Sequence, residues 1–202
     1  MKHAAFDRNA LLKKLARLDR WRKLGFGILC CDRLMPNYQN FQQDAEWGDV
    51  LFLCRALELA RSDLGGIGSD ANLVRRLMTE CEQLAPSSED FTALRTASAQ
   101  DACFAVCSLL EHLVDGGAER IVTIATYATD SVDLYVQETE GMDPDDARLE
   151  AGILEHPLMQ QELDRQHCDL ELVSRSALSR ADLARAISTD SSGSRGSLEL
   201  PG

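Results

Sequence analysis

Apolar residues along this chain recur three and four positions apart almost from the start. Leu11, Leu15 and Leu18 form an i, i+4, i+7 stripe, the spacing of an amphipathic helix. A second run extends from Trp21 to Met35. Pro36 lacks an N–H and disfavours helical geometry at Met35, so it is expected to end or kink that helix, or to open a new turn over 36–43. Val50, Leu53, Cys54 and Leu57 mark a further helix. After Gly65-Gly66-Ile67-Gly68-Ser69, Val74, Leu77, Met78, Cys81 and Leu84 mark another, with Ser69 as its expected N-cap. Pro86-Ser87-Ser88-Glu89-Asp90 reads as a helix start. Ser98 and Asp101 have capping-box spacing ahead of Cys103, Val106, Leu110 and Leu113, a helix that stops at Gly116-Gly117.

Residues 118–139 are the ambiguous segment, because Ile121, Val122, Thr123, Ile124 and Thr126 are β-branched and favour strands. Periodicity decides for a helix: Ile121, Ile124, Ala125, Ala128, Val132 and Tyr135 fall on one helical face, and the segment exceeds ordinary strand length. Residues 141–146 read as a loop. Pro157 suits a first helical position before Met159, Leu163, Leu170 and Val173, and Ser179 with Asp182 forms a capping box for a short last helix. The Ser/Gly-rich end has little to bury. The expected architecture is all-α: one helical-bundle domain of about eight helices over 1–188, followed by a flexible tail over 189–202.

Composition narrows the function more than the fold. The chain has 202 residues, 45% apolar and 27% charged, with a net charge of −12, which disfavours nucleic acid as a partner because phosphate neutralisation needs a dense Lys/Arg face. The charge is uneven. Residues 1–35 hold nine Lys/Arg against three Asp/Glu, including all four lysines, and are expected to neutralise acidic helices of the same fold. From Gln137 to Asp164 nine acids face Arg148 alone, a solvated anionic edge. The longest uncharged apolar runs fall far short of the roughly 20 residues that span a bilayer, so no membrane span is expected. The opening residues lack an apolar signal core, and the cytoplasm is the expected location. Seven scattered cysteines without any C-x-x-C read as reduced core residues, and no metal site is expected although Cys103 and Cys107 are one turn apart.

Catalytic templates fail one after another. There is no phosphate-binding P-loop and no G-x-S-x-G elbow. The G-x-G-x-x-A match at Gly66 follows a helix, where the dinucleotide fingerprint requires a strand, so no cofactor is expected. Two constellations remain. Arg33, Asn37, Tyr38 and Trp47 surround Pro36, where a helix break would free backbone groups for a ligand. Asp101 shares a helix face with Ala105, Ser108 and His112, although Asp101 and His112 are too far apart along the helix to touch.

The same residues carry a resemblance. Arg33-Leu34-Met35-Pro36-Asn37-Tyr38, with Phe41 and Gly48 following, resembles the E-R-M-x-P-N-Y-x-x-F segment of the YjaG-like family of uncharacterised bacterial proteins. Pro86-Ser87-Ser88-Glu89-Asp90-Phe91, Ala99-Gln100-Asp101-Ala102-Cys103, and His156-Pro157-Leu158-Met159 with Glu162 resemble that family's later landmarks, in order. At the end this chain reads Gly193-Ser194-Arg195-Gly196-Ser197-Leu198, where the family tends to finish G-x-S-N-I-G. The resemblance implies an all-helical domain with no assigned activity and supplies no catalytic residues. Two readings follow: a non-enzymatic helical interaction protein, self-associating or with a protein partner, and a small-molecule-binding or hydrolytic domain with a cleft near Arg33, Tyr38 and Asp101.

Overall fold

Local chemistry opens most of the helices. Asp7, Asp49 and Asp70 each accept a backbone N–H of the following turn and start α1 (Arg8–Leu15), α3 (Val50–Leu64) and α4 (Ala71–Glu82). The computed structural model describes residues 5–91, 95–190 and 196–198, and among these it contains nine α-helices and no strand. The others are α2 (Arg20–Ala45), α5 (Thr96–Asp115), α6 (Ala118–Glu140), α7 (Leu149–Glu155), α8 (Pro157–Ser174) and α9 (Arg180–Asp190). The expected all-α class holds, with α7 separated from α8 by His156 and bringing the total to nine.

Helix α5 lies at the centre, packed against α2, α3, α4 and α6. Its small residues Ala99, Ala102 and Ala105 are fully buried and let the neighbouring helices approach. Gly27 plays the same part on α2: a Cβ there would stand 2.8 Å from Ile121 Cδ1 and 2.9 Å from Leu109 Cδ1. A smaller apolar cluster of Val132, Val136, Ile153, Leu158, Met159 and Leu163 joins α6 to α7 and α8. The β-branched stretch is helical because Ile121, Ile124, Ala125, Ala128 and Val132 all enter the core. Burial of each large side chain there is worth roughly 1.5–3 kcal/mol, more than the few tenths that helix propensity opposes. Its threonines bond back to the helix itself, Thr126 Oγ1 to Val122 O at 2.9 Å and Thr129 Oγ1 to Thr126 O at 2.8 Å.

The basic opening stretch closes helix ends. Arg20 donates to Leu113 O and Lys23 Nζ to Gly116 O at 2.9 Å, at the C-terminus of α5. Arg22 donates to Val173 O, to Arg175 O at 2.9 Å and to Leu178 O at 3.1 Å, at the end of α8. Arg180 does the same for α3 through Leu64 O at 2.7 Å and Asp63 O. Terminal carbonyls carry the negative end of the helix dipole and lack intrahelical donors, so cations satisfy both needs.

Several local expectations are corrected. Pro36 does not end its helix; α2 continues through it to Ala45, held by the burial of Asn37, Tyr38 and Phe41 beyond it. The N-cap of α4 is Asp70, while Ser69 Oγ donates to Asp63 Oδ1 at 3.2 Å. Ser87 caps only a turn, accepting from Glu89 N at 3.1 Å. Ser98 lies inside α5 and donates to Arg95 O, so it forms no capping box with Asp101. The box at Ser179 and Asp182 does form, with Asp182 N donating to Ser179 Oγ at 3.1 Å. Of the cysteines expected in the core, Cys54 and Cys168 are exposed. Most of the tail expected to be flexible, 191–195 and 199–202, lies outside the described residues; Gly196 and Ser197 are buried against the protein.

Candidate functional site

A guanidinium inside an apolar helix requires counter-charges, and α8 supplies them. Arg33, 6% exposed, projects from α2 towards α8. Its Nε and Nη2 donate to the two oxygens of Glu162 at 3.1 and 3.2 Å, and Nη1 donates to Asp169 Oδ2 at 2.6 Å. Nη1 also reaches Leu29 O at 3.1 Å and Nη2 reaches Cys30 Sγ at 3.5 Å. All five N–H donors of the guanidinium are thereby used within the protein. Burial alone would disfavour its charge, but the carboxylates of Glu162 and Asp169 outweigh it and hold the Arg33 pKa above its ordinary value. Gln166 completes the cluster, donating to Glu162 Oε1 at 3.0 Å and to Ala125 O of α6 at 3.1 Å. Burial pushes the Cys30 thiol up, which keeps it neutral beside two carboxylates.

Asn37 follows one turn later on α2 and donates from Nδ2 to Ser197 Oγ at 2.9 Å. Ser197 N in turn donates to Arg33 O at 2.9 Å, and Arg165 Nη1 donates to Gly196 O at 3.2 Å. A backbone carbonyl near Pro36 does therefore accept from outside its own helix, and the donor is the chain's own C-terminal segment.

Tyr38 faces elsewhere. Its hydroxyl donates to Leu84 O at 2.9 Å and accepts from Asp49 N at 3.4 Å, tying α2 to the residues after α4 and to the start of α3. Burial pushes its pKa up to about 12. Gly48, at φ +103°, passes so close that a Cβ would stand 2.5 Å from that hydroxyl. Trp47 packs edge-on against Phe41, ring centres 6.2 Å apart, and against Phe91 at 5.2 Å. The indole belongs to an aromatic cluster that closes this end of the bundle.

Asp101 is on α5 but turned towards α6, where Ser131 Oγ donates to its Oδ2 at 2.9 Å. Burial raises its pKa to about 7; Ser131 works in the opposite sense and Asp130 in the same. Tyr127 stacks on Phe104 beside it, ring centres 5.8 Å apart. His112 of the same helix face is fully buried, with Nδ1 bonded to Gly117 O at 2.9 Å and its pKa lowered by burial. That face is packed against α6 and the following turn.

The structure thus joins Arg33 to Asn37, and separates both from the Tyr38–Trp47 end and from Asp101. Among the described residues, surface clefts of about 320, 370 and 400 Å³ lie between α1 and α8, beside α7, and between the starts of α2 and α9, and none of the five candidates lines these. Among the described residues no cluster of three or more His, Cys, Asp or Glu has the geometry to hold a metal ion, and no helix is long and apolar enough to cross a membrane. The partners of Arg33 were the residues a site search by motif passes over. Glu162, Gln166 and Asp169 stand at i, i+4 and i+7, and that polar stripe on α8 was the available signal.

Known proteins place the chain without assigning an activity. Residues 10–196 match the family described as "Protein of unknown function (DUF416)". The "Uncharacterized protein YjaG" of Escherichia coli (strain K12) is 28% identical over 159 residues, covering 78% of this chain and 79% of that protein. An "Uncharacterized protein" of Haemophilus influenzae is 26% identical over 161 residues, covering 79% and 80%. A crystal structure of a DUF416 family protein from Shewanella baltica OS155 superposes with a TM-score of 0.84 at 26% identity, covering 95% of this chain and 98% of that one. The helical architecture and the matched span together make this chain a member of the DUF416 family, whose function is unknown.

Proposed function

We propose that this chain acts in the cytosol as a helical interaction protein without catalytic activity, making contacts with other protein chains, a second copy of itself included. The observation that carries the reading is the saturation of Arg33: every donor of the most distinctive polar side chain of the sequence is spent on α2 and α8, leaving none for a substrate. Asn37 and Tyr38 are likewise engaged by the protein itself. The basic residues that would have to grip phosphates, Arg20, Arg22 and Lys23, instead close helix ends, which together with the net charge of −12 argues against nucleic acid as a partner. Light scattering during size-exclusion chromatography across a concentration series tests self-association, with affinity capture testing other chains. A strict monomer that captures no partner overturns the proposal.

A second reading, a small-molecule-binding or hydrolytic site, is favoured by one observation, the carboxyl of Asp101 poised near neutral pH beside Ser131 and Tyr127. Neither Arg33 nor Tyr38 contributes to it. A thermal-shift screen of small carboxylates, amines and esters separates the readings: a stabilising compound whose effect disappears in Asp101→Ala supports the second.

A further inference from the structure

The seven cysteines are not evenly dispersed once the chain is folded. Cys81 near the end of α4 and Cys103 on α5 bring their Sγ atoms to 4.0 Å, both fully buried. Each thiol lies over the other's backbone, Cys103 Sγ 3.2 Å from Cys81 O and Cys81 Sγ 3.5 Å from Cys103 O. Cys107 stands one turn further along α5 on the same helix face as Cys103, and it is partly exposed where the other two are not. Three thiols from two helices therefore converge, with one of them open to solvent. A disulfide needs the two sulfurs to close to about 2.05 Å, and the Cys81 and Cys103 sulfurs start 4.0 Å apart.

We propose that Cys81, Cys103 and Cys107 form a peroxide-reactive thiol centre, in which Cys107 takes up the oxidant and Cys81 resolves it to a disulfide between α4 and α5. In the first step the Cys107 thiolate attacks one oxygen of hydrogen peroxide; the O–O bond breaks, Cys107 becomes a sulfenic acid, and the departing hydroxide takes up a proton as water. In the second step the Cys81 sulfur attacks the Cys107 sulfur, the S–O bond breaks, and the leaving hydroxide receives the Cys81 proton as a second water. The sum is two thiols and one peroxide giving one disulfide and two waters. Cys103, at 4.0 Å from Cys81, can then displace Cys107 by thiol–disulfide exchange, moving the bond inside the core and returning Cys107 to the thiol form. Hydrogen bonding with Cys103, together with burial, holds the Cys81 thiol above its ordinary value. It therefore stays protonated and inert until an oxidised sulfur is presented to it.

The test uses the full chain carrying Cys54→Ser and Cys168→Ser, which removes the two exposed thiols. After treatment with stoichiometric hydrogen peroxide and alkylation, non-reducing tryptic mapping is expected to show the Cys81 peptide joined to the peptide that holds both Cys103 and Cys107. Adding Cys107→Ser is expected to slow that crosslink by about tenfold or more, since the entry thiol is gone. Adding Cys81→Ala is expected to abolish the crosslink and leave a Cys107 sulfenic acid that dimedone captures. Circular dichroism verifies that each variant is folded, and the partly exposed Cys107 position keeps the test decisive if Cys81→Ala is not. The proposal is overturned if peroxide leaves all three thiols alkylatable, if only crosslinks between chains appear, or if Cys107→Ser oxidises at the unaltered rate.

Discussion

Replacing Glu162 with leucine isolates the energetics of the buried charge cluster. The substitution removes an acceptor with no exposure at all and strips Arg33 of its contacts at 3.1 and 3.2 Å, leaving a 7%-exposed guanidinium with Asp169, Leu29 O and Cys30. Gln166 loses the same acceptor but keeps Ala125 O. Breaking one side of a buried ion pair in this manner costs about 3–5 kcal/mol, because the surviving charge stays desolvated. For a chain of this length, each kcal/mol moves Tm by roughly 2–4 °C, so Glu162→Leu is expected to melt about 6–20 °C lower. Urea unfolding of a complete cycle with Arg33→Met gives the sharper measure. The Arg33→Met, Glu162→Leu double variant is expected within about 2 kcal/mol of the starting protein, since both members of the buried pair become apolar and Asp169 is 15% exposed. A Glu162→Leu loss below about 1 kcal/mol, or a double variant as unstable as the sum of the singles, refutes the reasoning.

Asp101 carries a pH prediction. Its folded pKa near 7 is above the unfolded carboxylate value, so the folded state holds the proton more tightly; its contribution is full below about pH 4 and is lost as pH rises through 7. Asp101→Asn should flatten that decline and stabilise the protein by about 2–3 kcal/mol at pH 8 relative to pH 5, read by urea unfolding at the two pH values. Gly48→Ala should destabilise by about 1–3 kcal/mol, because a side chain at φ +103° is strained and its Cβ meets the Tyr38 hydroxyl; restoration by Tyr38→Phe in calorimetry would identify the clash as the cause. Gly27→Val should cost about 1–3 kcal/mol by forcing α2 away from Leu109 and Ile121, visible as a lower urea midpoint. Arg22→Ala should cost about 1–3 kcal/mol by leaving the carbonyls of Val173 and Leu178 without their donor, and amide exchange should accelerate first at the end of α8.

The helical rhythm was legible because burial enforces it. Residues 118–139 obey the period of their apolar face and override the strand preference of Ile121, Val122 and Ile124. Caps were less legible, since short polar residues cluster before a helix and the backbone selects among them: Asp70 wins over Ser69, and Arg95 rather than Ser98 precedes α5. Pro36 was misleading for a related reason, because tertiary burial on both sides of it holds α2 together where local preference would stop it. The candidate residues differ in what they do in the fold. Arg33 and Asn37 serve long-range contacts with α8 and with Ser197, 129 and 160 positions away, which no local window contains. Asp101 was read as a cap, and its true partner, Ser131, is 30 residues on.

The cations that cap helix ends are synthesised long before their acceptors. Arg20 and Lys23 bond 93 residues downstream, and Arg22 as far as 156. Until the ribosome has passed residue 116 the side chains of Arg20 and Lys23 lack these acceptors, and Arg22 waits longer still, for the carbonyls of Val173, Arg175 and Leu178. Docking of α2 on the end of α8 therefore follows the synthesis of residues 173–178, and a shortened product lacking residues beyond about 170 would keep Arg20 and Lys23 bonded but leave Arg22 without its acceptors.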